Sequence, residues 1–138
     1  MNVDYTFKIQ FGDTDPAGIV YYPNYYRWMD AATHELFDKI GFSTKGQLEH
    51  NMTMPLVEAH CVFQSPGYYH HIITVKSEIE FVKNKVFKLL HRFYDGDKLL
   101  AEGYEIRAWV EIDGAKLTSI SIPADIQAAL QKLVRIHT

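Results

Sequence analysis

The chain has 138 residues, a length that suits one domain with a real core and leaves no room for two. Hydrophobic residues at 47% and charged residues at 22% exclude a disordered chain, and a formal net charge of −3 argues against a general nucleic-acid binder, because phosphate contacts need a basic face. One cysteine, Cys61, excludes an internal disulfide and points to a reducing, cytoplasmic setting; no apolar run approaches a membrane span, and Met1 to Gln10 do not read as a signal peptide.

In chain order, Val3 to Phe11 places Val3, Tyr5, Phe7, Ile9 and Phe11 on one face, which is strand periodicity. Gly12 to Gly18 gathers Gly, Asp and Pro, the chemistry of a turn. Pro23 suits the first position of a helix, where its missing N–H costs nothing. From Tyr25 to Ile40 the residues Tyr25, Met29, Ala32, Leu36 and Ile40 recur at helical spacing, with Trp28, Thr33 and Phe37 beside them. Gly41 is a plausible C-terminal cap, and Lys39 stands at the negative end of the helix. After a polar connection, Ser43 to Asn51, strands are predicted over Met54 to Phe63, Tyr69 to Val82, Val86 to Tyr94, Leu99 to Ile112 and Leu117 to Ile122. In the second of these, Ile73, Val75, Ser77, Ile79 and Phe81 are expected to share a face. Asp95-Gly96-Asp97 and Asp113-Gly114 read as hairpin turns. Pro123-Ala124-Asp125 opens a short helix carrying Ile126, Leu130 and Val134. The order predicts a single α+β domain over 1–138, with one central helix buried by a curved antiparallel sheet. Free sheet edges predict oligomerisation.

The segment Phe11 to Asp30, FGDTDPAGIVYYPNYYRWMD, carries the most chemistry. Asp15 lies in a glycine-bracketed loop just before a helix, and backbone N–H groups at a helix start are unpaired at the positive end of the macrodipole. The Tyr22 N–H lies there, beside Pro23, which has none. A carbonyl placed against it would be polarised as in an oxyanion hole, and a nearby carboxylate could attack that carbonyl or activate a water. Asp13 and Asp15 equally suit Asx-turns, and spacing alone favours that plainer role. Asp30, on the helix, has Arg27 three residues before it and His34 four after it as possible partners. Lys83 and Lys85 flank Asn84 in a predicted turn that could meet phosphates or simply be surface charge. His60, Cys61, His70 and His71 invite a metal reading, but their spacing does not match the common zinc sites. His60 and Cys61 also point to opposite faces of a strand. Glu58 and His60 share a face that could border a pocket or a subunit interface.

The string from Gly12 to Tyr25 (GDTDPAGIVYYPNY) resembles the signature of the 4-hydroxybenzoyl-CoA thioesterase family of hotdog-fold enzymes, and the resemblance extends from Phe7 to the Ile122–Asp125 segment. It implies a hotdog fold and hydrolysis of an acyl-CoA thioester, with no cofactor and no metal. By resemblance, Asp15 matches the catalytic carboxylate and Tyr22 the residue whose backbone N–H polarises the thioester carbonyl. Asp30 matches a side chain that contacts the ring hydroxyl of an aryl group. Lys83, Asn84 and Lys85 match a basic turn that meets the CoA nucleotide. The resemblance also implies a homodimer assembling into a homotetramer, and the position of Asp30 suggests a hydroxybenzoyl or gentisyl group.

Departures narrow the branch. Short-chain acyl-CoA thioesterases of a neighbouring branch carry His where this chain has Tyr22, and Arg near Ala31. His70-His71 stands where relatives commonly carry Asp, and Asn84 interrupts the basic turn. The competing readings are a short-chain aliphatic acyl-CoA thioesterase, a hotdog hydratase or dehydratase, and a domain that binds acyl-CoA without hydrolysing it. The intact Asp15 and helix-start signature argues against the last.

Overall fold

The alternation at the N-terminus produces strand β1, Val3–Lys8, in a computed structural model that describes residues 3–134. The ends of the expected 1–138 domain, residues 1–2 and 135–138, lie outside the described residues. After β1 come α1 (Pro23–Lys39), α2 (Thr44–Glu49), β2 (Met52–Thr53), β3 (Leu56–Phe63), β4 (Ile72–Val82), β5 (Val86–Asp95), β6 (Lys98–Ala108), β7 (Val110–Asp113), β8 (Lys116–Ser119) and α3 (Ala124–Lys132). Five strands form an antiparallel sheet in the order β1-β4-β5-β6-β3, and β2, β7 and β8 form a second, small one.

Helix α1 lies on the large sheet. Its apolar stripe, Tyr25, Trp28, Met29, Ala32, Leu36 and Phe37, is buried together with Thr33, as the 3.6-residue spacing requires. The helix ends at Gly41, whose φ of 89° suits glycine. The Phe42 N–H reaches back to the Phe37 carbonyl at 2.9 Å and the Gly41 N–H to the Asp38 carbonyl at 3.2 Å, a Schellman cap. Where α1 crosses β6 it rests on Gly103, and a Cβ added there would stand 2.7 Å from Met29 Sδ and 2.6 Å from the His60 carbonyl. At the other end Phe37, Phe87, Trp109, Ile126, Leu130 and Leu133 close the core, with α3 as its lid. Burying side chains of this size stabilises by about 1.5–3 kcal/mol each.

Several boundaries differ from the sequence reading. β1 stops at Lys8, and Phe11–Asp13 form a 3₁₀ turn, with Phe11 largely exposed. The polar connection contains α2, capped by Ser43 Oγ, which accepts the Gly46 N–H at 3.1 Å. A bulge between Ile79 and Phe81 leaves Glu80 unmatched across β5, so Phe81 pairs with Lys88 rather than staying on the face of buried Ile79. The long strand expected over Leu99 to Ile112 breaks at Trp109, whose N–H goes to the Lys85 carbonyl at 2.8 Å while its carbonyl accepts the Ile120 N–H at 3.0 Å. The last strand stops at Ser119, because Ile120 and Ile122 hydrogen-bond to Trp109 and Asn84 instead. Val134 lies past the end of α3 and bridges to Ile79. No helix among the described residues is long and apolar enough to cross a membrane.

Candidate active site

The loop that precedes α1 is folded by Asp13. Its carboxylate accepts the Gln10 N–H at 2.8 Å through Oδ2 and Arg27 Nη2 at 2.8 Å through Oδ1. Its carbonyl takes the Tyr21 N–H at 2.9 Å and Asn24 Nδ2 at 2.9 Å. Arg27, one of the two partners expected for Asp30, is thus engaged by Asp13. Asp15 lies at the tip: its N–H donates to the Ile19 carbonyl at 2.8 Å, and its carbonyl accepts the Gly18 N–H at 2.9 Å. Gly18 takes a φ of 80°, which closes the turn. Asp15 Oδ1 accepts the Ala17 N–H at 2.9 Å, the Asx-turn weighed from the sequence. Its other oxygen, Oδ2, has no protein partner among the described residues and is open to a substrate or a water.

The hairpin Thr14–Val20 leads straight into α1. Tyr22 is the residue before the first helical turn, and Pro23 follows it. The Tyr22 N–H meets no acceptor among the described residues, while its carbonyl takes the Tyr25 N–H at 3.1 Å. The phenol ring is exposed and stands edge-on to Phe63 with centroids 6.0 Å apart. Tyr22, Tyr25, Phe63 and the Gln64–Gly67 turn line a largely apolar groove of about 410 Å³. Asp15 borders a second groove of about 540 Å³ with Phe11, Gly12 and Pro16. The two grooves are separate and open.

Asp30 sits two turns further along α1, half exposed at 49%. Its Oδ1 accepts Arg107 Nη2 at 2.8 Å and His34 Nε2 at 3.2 Å. His34 Nδ1 in turn meets Thr44 Oγ1. Arg107, only 4% exposed, also donates through Nη2 to Glu105 Oε2 at 2.9 Å, through Nε to Glu105 Oε1 at 3.3 Å and through Nη1 to the Met54 carbonyl at 2.9 Å. Glu105 continues inward to Thr33 Oγ1 and to His91 Nε2 at 3.2 Å, and His91 Nδ1 meets Ser77 Oγ at 2.7 Å. Burial alone would raise the Glu105 pKa, but the hydrogen bond and charge of His91, and then those of Arg107, outweigh it and hold it at about 2. Burial works against the Arg107 charge too; the hydrogen bonds and charges of Glu105 and Asp30 outweigh it and raise its pKa. The sequence reading missed this network. Its signal was polar residues on core-facing positions: His91 in step with buried Phe87, Leu89 and Phe93, and Glu105 and Arg107 in step with Ala101 and Gly103.

Lys83, Asn84 and Lys85 form the exposed β4–β5 turn, with the Lys83 N–H on the Val86 carbonyl at 2.8 Å. Lys83 Nζ stands 4.9 Å from the Phe81 ring. The turn does not meet Asp15. β4 begins beside the Asp15 loop, where the Ile9 N–H bonds the His71 carbonyl, and ends at this turn, roughly 30 Å away at strand rise. His71 pairs with Asp95 at 2.6 Å, and His60 stacks near Tyr104, whose hydroxyl donates to Glu58. Burial pushes the Cys61 thiol up to about 11, which makes it a poor nucleophile. Among the described residues no three His, Cys, Asp or Glu side chains cluster closely enough to hold a metal.

A loop carboxylate with an unpaired oxygen, set in sequence before a helix start with an unpaired N–H, is chemistry that could serve acyl transfer. The thioesterase-like superfamily profile matches residues 9–130, and the chain belongs to that family. It is 36% identical over 126 residues to the 4-hydroxybenzoyl-CoA thioesterase of Pseudomonas sp. strain CBS-3, covering 86% of this chain and 89% of that protein. A gentisyl-coenzyme A thioesterase structure superposes with a TM-score of 0.82 at 36% identity, covering 94% of this chain and 99% of the other. An Asp→Asn variant of 4-hydroxybenzoyl-CoA thioesterase, solved with 4-hydroxybenzoyl-CoA, superposes with a TM-score of 0.85 at 32% identity, covering 94% and 98%. The fold is the hotdog fold, and the chain is an acyl-CoA thioesterase, a hydrolase of the thioesterase-like superfamily.

Proposed function

We propose that this enzyme hydrolyses a small hydroxylated aromatic acyl-CoA, of the hydroxybenzoyl or gentisyl type, to the free acid and CoA. The observation that carries the reading is that the loop ahead of α1 leaves Asp15 Oδ2 without a protein partner and the Tyr22 N–H at the helix start without an acceptor, among the described residues. Asp15 either attacks the thioester carbonyl, forming a C–O bond and releasing the thiolate to leave a mixed anhydride that water cleaves, or takes a proton from a water that attacks. In both routes the developing oxyanion lies against the Tyr22 N–H and the helix dipole. Asp30 accepts a hydrogen bond from the ring hydroxyl. It stands eight residues beyond Tyr22, about 12 Å along the helix axis, the span of a hydroxybenzoyl group hydrogen-bonded at each end.

The nucleotide of CoA is held by Lys83, Asn84 and Lys85 of another subunit, since the turn lies far from Asp15 in its own. The single domain acts as a homodimer, paired edge to edge through β3 and stacked into a homotetramer, in a cytoplasmic setting. What supports the pairing is that β3 is an edge strand exposing Leu56, Val57, Val62 and Phe63. The test is thiol release from a panel of aromatic and short-chain acyl-CoAs. Asp15→Asn is expected to keep substrate binding and to lose roughly a hundredfold or more in kcat. Tyr22→Phe is expected to be mild, because the donor is the main chain. Near-normal turnover by Asp15→Asn would overturn the mechanism, and a preference for short aliphatic chains would overturn the substrate.

A further inference from the structure

Arg107 is engaged more fully than a structural ion pair requires. Glu105 alone neutralises it, and the Glu105 carboxylate is already held at Oε1 by Thr33 and His91. Its Nη2 nevertheless also reaches across to Asp30, on a different element and half in solvent. Both donors that meet Asp30, Arg107 and His34, take the same oxygen, Oδ1. Oδ2 is left without a protein partner among the described residues. Arg107 also holds the carbonyl of Met54, just before the exposed edge strand β3, while Tyr22 packs on Phe63 at the far end of that strand. The strip between α1 and β3 therefore runs from the helix start to the Arg107–Asp30 pair.

We propose that Arg107 is a positioning residue for acyl-group selection: anchored by Glu105, it fixes the Asp30 carboxylate through Oδ1 and presents Oδ2 to a hydroxyl on the acyl ring. The proposal rests on the reading of Asp30 given above. A carboxylate held in one rotamer before the substrate arrives loses no ordering entropy on binding. Its free oxygen then discriminates between a ring that can donate a hydrogen bond and one that cannot. A lysine in place of Arg107 keeps the charge but loses the planar fork that grips both carboxylates at once.

The experiment measures kcat/KM for 4-hydroxybenzoyl-CoA and for benzoyl-CoA in the unmodified enzyme, Asp30→Asn, Arg107→Lys and the double variant. The ratio of the two values on one preparation is independent of how much protein is folded. The ratio is expected to fall roughly tenfold or more in Asp30→Asn, the loss of one hydrogen bond to a charged group. It should fall comparably in Arg107→Lys and no further in the double variant, because the two residues act as a unit. If Arg107→Lys does not accumulate, the Glu105→Gln/Arg107→Gln pair removes both buried charges together and should give the same fall. A ratio preserved in the Arg107 variants while Asp30→Asn lowers it overturns the positioning role alone, as does a loss that adds to that of Asp30→Asn. A ratio unmoved by Asp30→Asn overturns the reading of Asp30 and the positioning role with it.

Discussion

The Glu105 carboxyl lies in the core with His91, Thr33 and Arg107 around it, and its pKa of about 2 makes it a pH-linked part of the fold. The folded value is below the ordinary 4.5, so the folded state keeps the group ionised where the unfolded chain protonates it. Its contribution is therefore fully present above pH 4.5 and is lost as pH falls toward about 2. Across that shift it amounts to about 3 kcal/mol. Thermal unfolding followed between pH 7 and pH 2.5 should show Glu105→Gln less stable at neutral pH, with the gap to the unmodified enzyme closing below the 4.5 of a free carboxyl. A gap that stays constant with pH would mean that the carboxylate is not held by its charge partners.

Among the elements, the contact between α1 and β6 is the closest and the least tolerant. Gly103 pairs across the sheet with Cys61 and His91, and the helix comes down on it through Met29. Cβ positions 2.6 Å from a carbonyl and 2.7 Å from a sulfur cannot be accommodated without moving the helix or β3. Gly103→Ala is expected to cost about 1–3 kcal/mol, the usual price of overpacking, and to lower the Tm by several degrees. Because Met29 is next to Asp30 on α1, the same change should displace the Asp30 carboxylate. An unshifted Tm would show that Met29 swings away freely.

For the whole molecule, the separation of Asp15 from the Lys83–Lys85 turn is the ground on which the proposed site is shared between subunits. Charge reversal at Lys83 and Lys85 should raise KM more than it lowers kcat, because such contacts are similar in ground and transition states. Co-expressing that double variant at equal levels with Asp15→Asn should recover activity. In a symmetric dimer with shared sites, roughly a quarter of the sites would combine an intact Asp15 with an intact turn. Activity no greater than the sum of the two variants alone, or a monomer in light scattering at working concentration, would overturn the shared site.

What the sequence determined by itself is local. The apolar repeat from Tyr25 to Ile40 with Gly41 behind it sets α1 and its cap, and the Asp-Gly turns set the β5–β6 and β7–β8 hairpins. The Gly12–Gly18 residues set the tight turn that leads into the helix starting at Pro23. Periodicity and turn chemistry act over a few residues, so they are legible without the fold. Only the tertiary structure decided which residues face one another across long stretches of chain. It assigned Asp30 to Arg107 rather than to Arg27, built the Ser77–His91–Glu105–Arg107 chain from three strands, and broke the expected Leu99–Ile112 strand at Trp109. It also moved Phe81 off the core face and set the Lys83–Lys85 turn at the far end of the sheet from Asp15. Those outcomes depend on strand register and bulges, and on where the helix lies across the sheet, which are settled by packing between segments distant in sequence.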